Sequence, residues 1–247
     1  MICDAHVHVG YFPRKGKTQP FYYSPRRILG ILDRCSVSSF IFSSTNAVWD
    51  FSGKSMHSEA REMLSLAGNR AHPFFWVTDE YLKKDPDLDR LPGFYEGLKL
   101  HGGETPWLRH PKRLLRLLAI ARERRFCVQI HTSERDDVSG SAISFYLPYC
   151  VKFPTVKFDL AHGKPATDVP RAVNENENVY VDCAYCSGDI VRQWLDVGAR
   201  EDRIMFGSDL PVQQSFSDIS LTSYLRKKIG EFSSPGILSR NFTDFVS

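Results

Sequence analysis

The residues most able to do chemistry begin with His6 and His8, which lie near the start of the chain with one residue between them. Side chains in a β-strand alternate between its two faces, so both imidazoles would point to the same side. Two imidazoles at this spacing can bind one metal ion. A His-x-His pair is a weak signal alone. This pair, however, ends a short apolar run, and a (β/α)₈ barrel places its catalytic groups at such strand ends.

Three more titratable residues, His131, His162 and Asp209, also stand directly after apolar runs. Imidazole and carboxylate together suit Zn²⁺, and Mn²⁺, Fe²⁺, Co²⁺ or Ni²⁺ are alternatives. Three histidines and one aspartate leave an open position for water, whose pKa a bound Zn²⁺ lowers to about 7. The sequence therefore predicts a metal site that makes hydroxide available near neutral pH.

The distances between these residues along the chain match one architecture. Lys99 and His131 are 32 residues apart, and His131 and His162 are 31 apart, which is one strand-helix unit in each case. The longer gap from His162 to Asp209 leaves room for one more strand. The candidate residues then fall at the ends of the first, fourth, fifth, sixth and eighth strands.

Eight short runs rich in Val, Ile, Phe and Leu supply these strands, as expected for buried parallel strands. They are residues 2–6, 38–42, 73–77, 97–100, 126–130, 156–160, 179–182 and 203–206. Helices are predicted between them, among others at 25–34, 111–125 and 187–198. The alternation predicts an α/β fold, either a barrel or a doubly wound sheet. The strand-end chemistry and the length of 247 residues favour a single (β/α)₈ TIM barrel domain over residues 1–247.

Composition excludes several classes of protein. Hydrophobic residues make up 42% and the formal net charge is +3, which is too small for the electrostatic footprint of a nucleic-acid binder. No apolar run approaches the roughly 18 residues of a membrane span. Six cysteines occur in a chain without a visible secretory signal, so we expect reduced thiols and a cytoplasmic location. The expected partner is a small-molecule substrate, and a homo-oligomer is left open.

The segment 10–24 is predicted to be the longest irregular loop of the chain. It contains Arg14, Lys15 and Lys17 among several aromatic residues. Because it follows the first strand, it would border the mouth of a barrel site and favour an anionic substrate. An ordinary surface loop is the alternative.

With these residues in place, the chain resembles the amidohydrolase superfamily, specifically the amidohydrolase-2 or amidohydrolase-related group. The resemblance spans residues 4 to 211 and ends in a specific motif. The matching segments are Asp4-Ala-His6-Val-His8, Gly97-Leu-Lys99-Leu-His101, His131-Thr, Ala161-His162-Gly163 and Phe206-Gly-Ser-Asp209-Leu-Pro211. Gly102 departs from the family, since many relatives have proline after Lys-x-His.

The resemblance implies a (β/α)₈ barrel in which His6, His8, His131 and Asp209 hold the main metal ion. It implies that Asp209 is also the general base that takes the proton of the attacking water. His162 would either polarise the substrate or bind a second ion.

Two further residues, Lys99 and His101, are expected to line the substrate pocket. In some members of the superfamily the lysine of the fourth strand is carbamylated and bridges two ions. Lys99 could equally remain a cation that holds a substrate carboxylate, or be a buried structural lysine. We favour one ion, zinc foremost, over a carbamate-bridged pair.

The expected activity is a metal-dependent hydrolysis of an ester, lactone or amide bond in a small carboxylated substrate. The alternative is a lyase that decarboxylates or hydrates a small unsaturated or aromatic acid at the same metal site. Fold resemblance does not choose between the two reactions. A barrel without activity and a phosphoesterase of the PHP type are weaker alternatives. The phosphoesterase would need a late Asp-x-His motif, but Asp209 is followed by Leu210 and Pro211.

Overall fold

Parallel strands form the centre of the molecule. The structure, a computed structural model, describes residues 1–13, 15–49, 54–102, 110–134 and 142–247, without the side chains of Trp49, Lys54 and Ser55. Within these residues, eight strands run parallel and one short strand pairs antiparallel with the first. The strands are β1 (Ile2–Phe12), β2 (Phe21–Tyr23), β3 (Val37–Ser44), β4 (Ala71–Trp76), β5 (Gly97–Leu100), β6 (Cys127–His131), β7 (Phe158–Ala161), β8 (Val179–Asp182) and β9 (Ile204–Met205).

The two edges of the parallel sheet meet and close a ring. Each strand from β3 to β9 pairs with the next along the chain, and β3 pairs with β1. The chain around and beyond β9 then hydrogen-bonds to β1: the amide of Ala5 donates to the carbonyl of Phe206 (2.8 Å), and the amide of Asp209 to the carbonyl of His6 (2.8 Å). The fold is therefore a TIM barrel, as the sequence predicted.

Helices follow most strands and cover the outside of the ring. They are α1 (Pro25–Arg34), α2 (Asn46–Trp49), α3 (Lys54–Ala67), α4 (Asp79–Lys84), α5 (Pro111–Arg124), α6 (Ile143–Lys152), α7 (Val169–Glu175), α8 (Gly188–Asp196), α9 (Leu221–Gly230) and α10 (Asn241–Val246). Serine residues cap the N-termini of α1 and α8. The hydroxyl of Ser24 accepts from the amide of Arg27 at α1, and that of Ser187 accepts from the amide of Ile190 at α8.

Most predicted strands and helices agree with these bounds to within two residues at either end, and two differences bear on the shape of the barrel. Strand β1 does not end at His6 but continues to Phe12, and the segment predicted as an irregular loop contains β2, which pairs with it from Gly10 to Phe12. The last strand is shorter than predicted, because a 3₁₀ turn occupies Glu201–Arg203. The hairpin extends the first strand above the barrel, toward the side where the site lies.

The opposite end of the barrel is filled by apolar side chains. Helix α10 packs Phe242 and Phe245 against the early parts of several strands, in a cluster separate from the main core. Its other buried members are Cys3, Ala5, Ile41, Phe74, Tyr180 and Met205. Full burial of a phenylalanine side chain contributes about 1.5–3 kcal/mol, so this aromatic plug closes and stabilises the N-terminal end of the ring.

Candidate metal centre

The two histidines of β1 point into the ring and meet Asp209 there. The Nε2 atoms of His6 and His8 lie 3.2 Å apart. The Oδ1 atom of Asp209 lies 3.1 Å from Nε2 of His8 and 3.5 Å from Nε2 of His6. All three side chains are buried. We call these three atoms the three-donor group.

The spacing and chemistry of the three-donor group fit a divalent metal ion. Ligands at about 2.0–2.1 Å around a tetrahedral Zn²⁺ stand about 3.3 Å from one another, close to the separations observed here. Burial lowers the pKa of His6 far below its usual range and also lowers that of His8, which favours the neutral form of both imidazoles. Neutral imidazole is the form that binds metal. Burial also raises the pKa of Asp209, an effect that the hydrogen bond from His8 opposes.

Hydrogen bonds to Nδ1 hold both imidazoles so that Nε2 points toward the three-donor group. The Nδ1 atom of His6 lies 2.8 Å from Oδ2 of Asp182, and Nδ1 of His8 lies 2.9 Å from Oγ of Ser43. Metal-binding histidines are commonly oriented by such bonds to their second nitrogen. From the sequence, Asp182 is only a candidate for substrate contact, and Ser43 has no predicted role. Their positions were the available signal, since Asp182 ends one predicted strand and Ser43 directly follows another.

His131 and His162 lie on another side of the same pocket. The Nε2 atom of His162 is 3.0 Å from Nδ1 of His131, and its ring centre is 4.9 Å from that of His6. Among the described residues, two sets of three donors lie within 4.8 Å of one another: the three-donor group, and His6 with His162 and Asp182. His131 belongs to neither set. Its place on the main ion, implied by the resemblance, therefore remains a prediction.

Lys99 and His101 also line the pocket. Lys99 is fully buried, and its Nζ lies 2.9 Å from Nε2 of His6. Burial lowers the pKa of Lys99 to about 8, against the raising effect of Asp182 and Asp209. The ring of His101 stacks on that of His131, with centres 4.0 Å apart. Burial lowers the pKa of His101 to about 3, with a smaller effect from Lys99 in the same direction.

Unusual backbone conformations gather at this end of the barrel. Among the described residues, six that are not glycine have a positive φ, and three of them, His162 (72°), Tyr185 (63°) and Asp209 (57°), border the pocket. Left-handed backbone in such residues costs on the order of 1–3 kcal/mol, and it is common at active sites. The adjacent Gly163 also has a positive φ, and a Cβ there would lie 2.6 Å from the ring of Trp194. The local backbone is thus shaped to present the His162 and Asp209 side chains.

The pocket above these groups has a volume of about 1100 Å³. Aromatic side chains line much of its wall, namely Phe12, Trp76, Tyr185 and Phe216. The described residues that line it include two cations, Lys99 and Lys164, and Oε1 of Glu134 lies 3.4 Å from Nζ of Lys164. A pocket of this size accepts a small organic molecule.

The basic loop borders the pocket with only part of its length. Its residues Phe12 and Pro13 line the pocket, whereas Lys15 and Lys17 are exposed and are not among the lining residues. Arg14 lies outside the described residues. Within the described part of the chain, the positive charge at the pocket therefore comes from Lys99 and Lys164.

Comparison with known proteins identifies the family. The sequence profile of the amidohydrolase family matches residues 3–230. The chain belongs to the amidohydrolase family. Members of this family are metal-dependent enzymes, and the three-donor group could hold such an ion. No curated protein matches it by sequence.

Solved structures confirm the fold of this amidohydrolase. A TIM-barrel protein from Bordetella bronchiseptica is 14% identical with a TM-score of 0.68, covering 99% of this chain and 98% of its own. A candidate 2-pyrone-4,6-dicarboxylic acid hydrolase from Acinetobacter baumannii, with citric acid bound, is 13% identical with a TM-score of 0.65, covering 99% and 98%. A 5-carboxyvanillate decarboxylase from Novosphingobium aromaticivorans, complexed with manganese and 4-hydroxy-3-methoxy-5-nitrobenzoic acid, is 11% identical with a TM-score of 0.58, covering 89% and 79%.

Among the described residues, none of the helices combines the length and the apolar character that crossing a bilayer requires.

Proposed function

We propose that this amidohydrolase hydrolyses an ester, lactone or amide bond in a small carboxylated substrate, using one divalent ion, foremost Zn²⁺. The observation that carries the proposal is the three-donor group, whose separations of 3.1–3.5 Å suit ligands of one ion. We place His131 and His162 beside it as further candidates for metal binding. When bound, the ion supplies Lewis-acid activation of water and of the scissile carbonyl.

Asp209 is the residue best placed to move protons. Its carboxylate is buried between His6 and His8, with Oδ1 at 3.5 and 3.1 Å from their Nε2 atoms. A general base must lie within hydrogen-bond reach of the proton that it accepts, and a carboxylate of the three-donor group would lie beside a water bound to the same ion. We therefore propose Asp209 as the acceptor of the proton from the attacking water. The same carboxyl group would then return that proton to the leaving group.

His162 is held in one tautomer by its surroundings. Its Nδ1 lies 3.3 Å from the carbonyl oxygen of Ala184, which only accepts hydrogen bonds, so the ring proton resides on Nδ1. The lone pair of the ring is then on Nε2, which faces Nδ1 of His131 at 3.0 Å. This arrangement suits an electron-pair donor better than a hydrogen-bond donor, so we propose that His162 acts as a metal ligand or proton acceptor.

The lysines of the pocket support a carboxylated substrate. Lys99 lies at the floor beside His6, and Lys164 follows β7 at the wall. We propose that Lys99 stays an uncarbamylated cation and that, with His101, it contacts the substrate.

We also propose a cytoplasmic location, which the free thiols of all six cysteines support.

A lyase reaction at the same site is the second candidate. The pocket walls carry Trp76, Tyr185 and Phe216, which suit an aromatic acid. One structural neighbour is a decarboxylase of such an acid. In that reaction the substrate would lose carbon dioxide, and no water would be consumed.

Metal content of the purified protein tests the site. We expect about one equivalent of a divalent ion in the wild-type protein and loss of it in Asp209→Ala and His131→Ala. His72→Ala is the matched control, because His72 lies on β4 away from the pocket, where it pairs with Glu96. Retention of the ion in both site variants would overturn the assignment. A screen of lactones, esters, amides and aromatic acids, with carbon dioxide measured beside hydrolysis product, separates the two reactions.

A further inference from the structure

The carboxylate of Asp182 contacts both halves of the candidate site. This residue ends β8 and is fully buried. One of its oxygens, Oδ2, lies 2.8 Å from Nδ1 of His6. The other, Oδ1, accepts the backbone amides of His162 (3.1 Å) and Ala184 (2.9 Å). A single side chain thereby joins β1, the turn after β7 and the turn after β8.

The carboxylate of Asp182 fixes where the ring proton of His6 lies. A carboxylate only accepts hydrogen bonds, so Nδ1 of His6, 2.8 Å from Oδ2, carries the proton and donates it. The lone pair of the ring is then on Nε2, which in the metal-free site faces Nζ of Lys99 at 2.9 Å. This is the tautomer in which Nε2 can bind an ion together with His8 and Asp209.

The second oxygen of Asp182 acts on His162 through the backbone. His162 has a left-handed φ of 72°, and its amide is one of the two that Oδ1 accepts. The other amide belongs to Ala184, whose carbonyl in turn receives the Nδ1 proton of His162. Asp182 therefore holds both the peptide of His162 and the turn that orients its ring.

We propose that Asp182 is a positioning residue that sets the tautomer of His6 and the orientation of His162, and so holds both nitrogen donors ready for the ion. The inference rests on the proposed function in that these histidines are taken to bind a divalent metal. Asp182 itself donates no electron pair to the ion in this role.

The substitution Asp182→Asn distinguishes a positioning role of Asp182 from a role in packing alone. Asparagine keeps the shape of the side chain and one accepting oxygen, which can still serve the two backbone amides. Its amide nitrogen would then face Nδ1 of His6 and favour the opposite tautomer, with a proton on Nε2 directed at the ion. Loss of such a supporting partner typically weakens metal affinity about 10–100-fold.

The experiment is a competition titration of Zn²⁺ against a chromophoric chelator, run on metal-free wild type, Asp182→Asn and Asp85→Asn. The matched control Asp85 is also a buried carboxylate that accepts two backbone amides, those of Asp89 and Arg90. We expect Asp182→Asn to bind Zn²⁺ about 10–100-fold more weakly while its circular dichroism stays native, and Asp85→Asn to bind as wild type does. Unchanged affinity in a folded Asp182→Asn would overturn the proposal.

Two further outcomes keep the tests of site and residue apart. If wild type binds two equivalents and Asp182→Asn binds one, Asp182 is itself a ligand and the positioning role is wrong. If wild type binds no Zn²⁺, the proposed function fails. In that case the role of Asp182 can still be tested by nitrogen-15 NMR of metal-free wild type, which shows which ring nitrogen of His6 carries the proton. The same measurement tests the role if Asp182→Asn does not fold. We expect a protonated Nδ1 and a bare Nε2 for His6, and the reverse would overturn the inference.

Discussion

The two ends of the barrel are built on opposite principles. At the N-terminal end, α10 seals the ring with Phe242 and Phe245 against apolar strand residues. At the C-terminal end, Lys99, Asp182 and several histidines are buried together, and non-glycine residues adopt left-handed backbone. Burial of unpaired charge and backbone strain both cost free energy. The comparison predicts that substitutions at the two ends affect different properties.

The largest expected effect is on activity, at the polar end. We expect Asp209→Asn to reduce kcat/KM on the order of 10²–10⁴-fold, because an amide cannot accept the proton of water. The free energy of unfolding of the metal-free variant should be equal to or above that of wild type, because burial disfavours the charged carboxylate. Urea unfolding and steady-state kinetics on the substrate found by screening measure both. Parallel loss of stability and activity would remove the contrast between the two ends.

The apolar end should show the reverse behaviour. Phe245→Ala leaves a cavity beneath the ring, and such changes cost about 3–5 kcal/mol. We expect this loss in the free energy of unfolding, with Zn²⁺ affinity of the folded variant unchanged. Phe245→Leu is the control and should lose less. Weaker metal binding in the folded alanine variant would mean that the ends are coupled through the strands.

A smaller effect, on the pH dependence of the free energy of unfolding, tests whether buried carboxylates outside the pocket also destabilise the fold. Glu59 of α3 is 3% exposed and accepts hydrogen bonds from the hydroxyl of Ser44 and from Nδ2 of Asn46, at the end of β3. Burial raises its pKa above the usual 4.5. The folded state therefore holds this proton more tightly than the unfolded chain. The free energy of unfolding should then fall as pH rises from about 4.5 through the pKa of the folded state.

In Glu59→Gln this fall should be absent, so the difference between variant and wild type should grow with pH. Urea unfolding at a series of pH values measures it. Glu62→Gln, an exposed position on the same helix, is the control and should follow wild type. Parallel curves for Glu59→Gln and wild type would show that this carboxylate is not destabilised by burial.

The smallest effect is expected on the outer helices, which belong to neither end. Arg192 pairs with Asp189 on α8, and both side chains are about two-thirds exposed or more. Exposed pairs contribute about 0.2–1 kcal/mol, so Arg192→Ala should change the free energy of unfolding by about 0.5 kcal/mol. Thermal unfolding at low and high salt measures it. A loss as large as that of Phe245→Ala would show that stability is not concentrated at the apolar end.

Sequence alone located the strands and the meeting point of the site because both depend on local patterns. Strands β5 and β8 and helix α1 have the predicted bounds, since each is an apolar run or an amphipathic segment limited by clear signals. His6, His8 and Asp209 converge because parallel strands bring their carboxyl ends to one edge.

What sequence analysis missed depends on contacts between distant segments. The pairing of Gly10 with Tyr23 in the hairpin is a matter of register, which composition does not reveal. The functional value of Asp182 and Ser43 arises only from their distances to the ring nitrogens of His6 and His8. Similarly, helix α10 carries no signal that it closes the barrel, because its apolar residues would suit any outer helix.

The closure of the ring has a consequence for biosynthesis. Asp4 accepts a hydrogen bond from the amide of Ser208 across 204 residues of chain, and Asp209 follows directly. A growing polypeptide on the ribosome therefore has two imidazoles early but lacks their carboxylate partner until the eighth parallel strand has been translated. Tight binding of an ion at the proposed site must await that moment, so metal uptake would indicate that the barrel has finished folding.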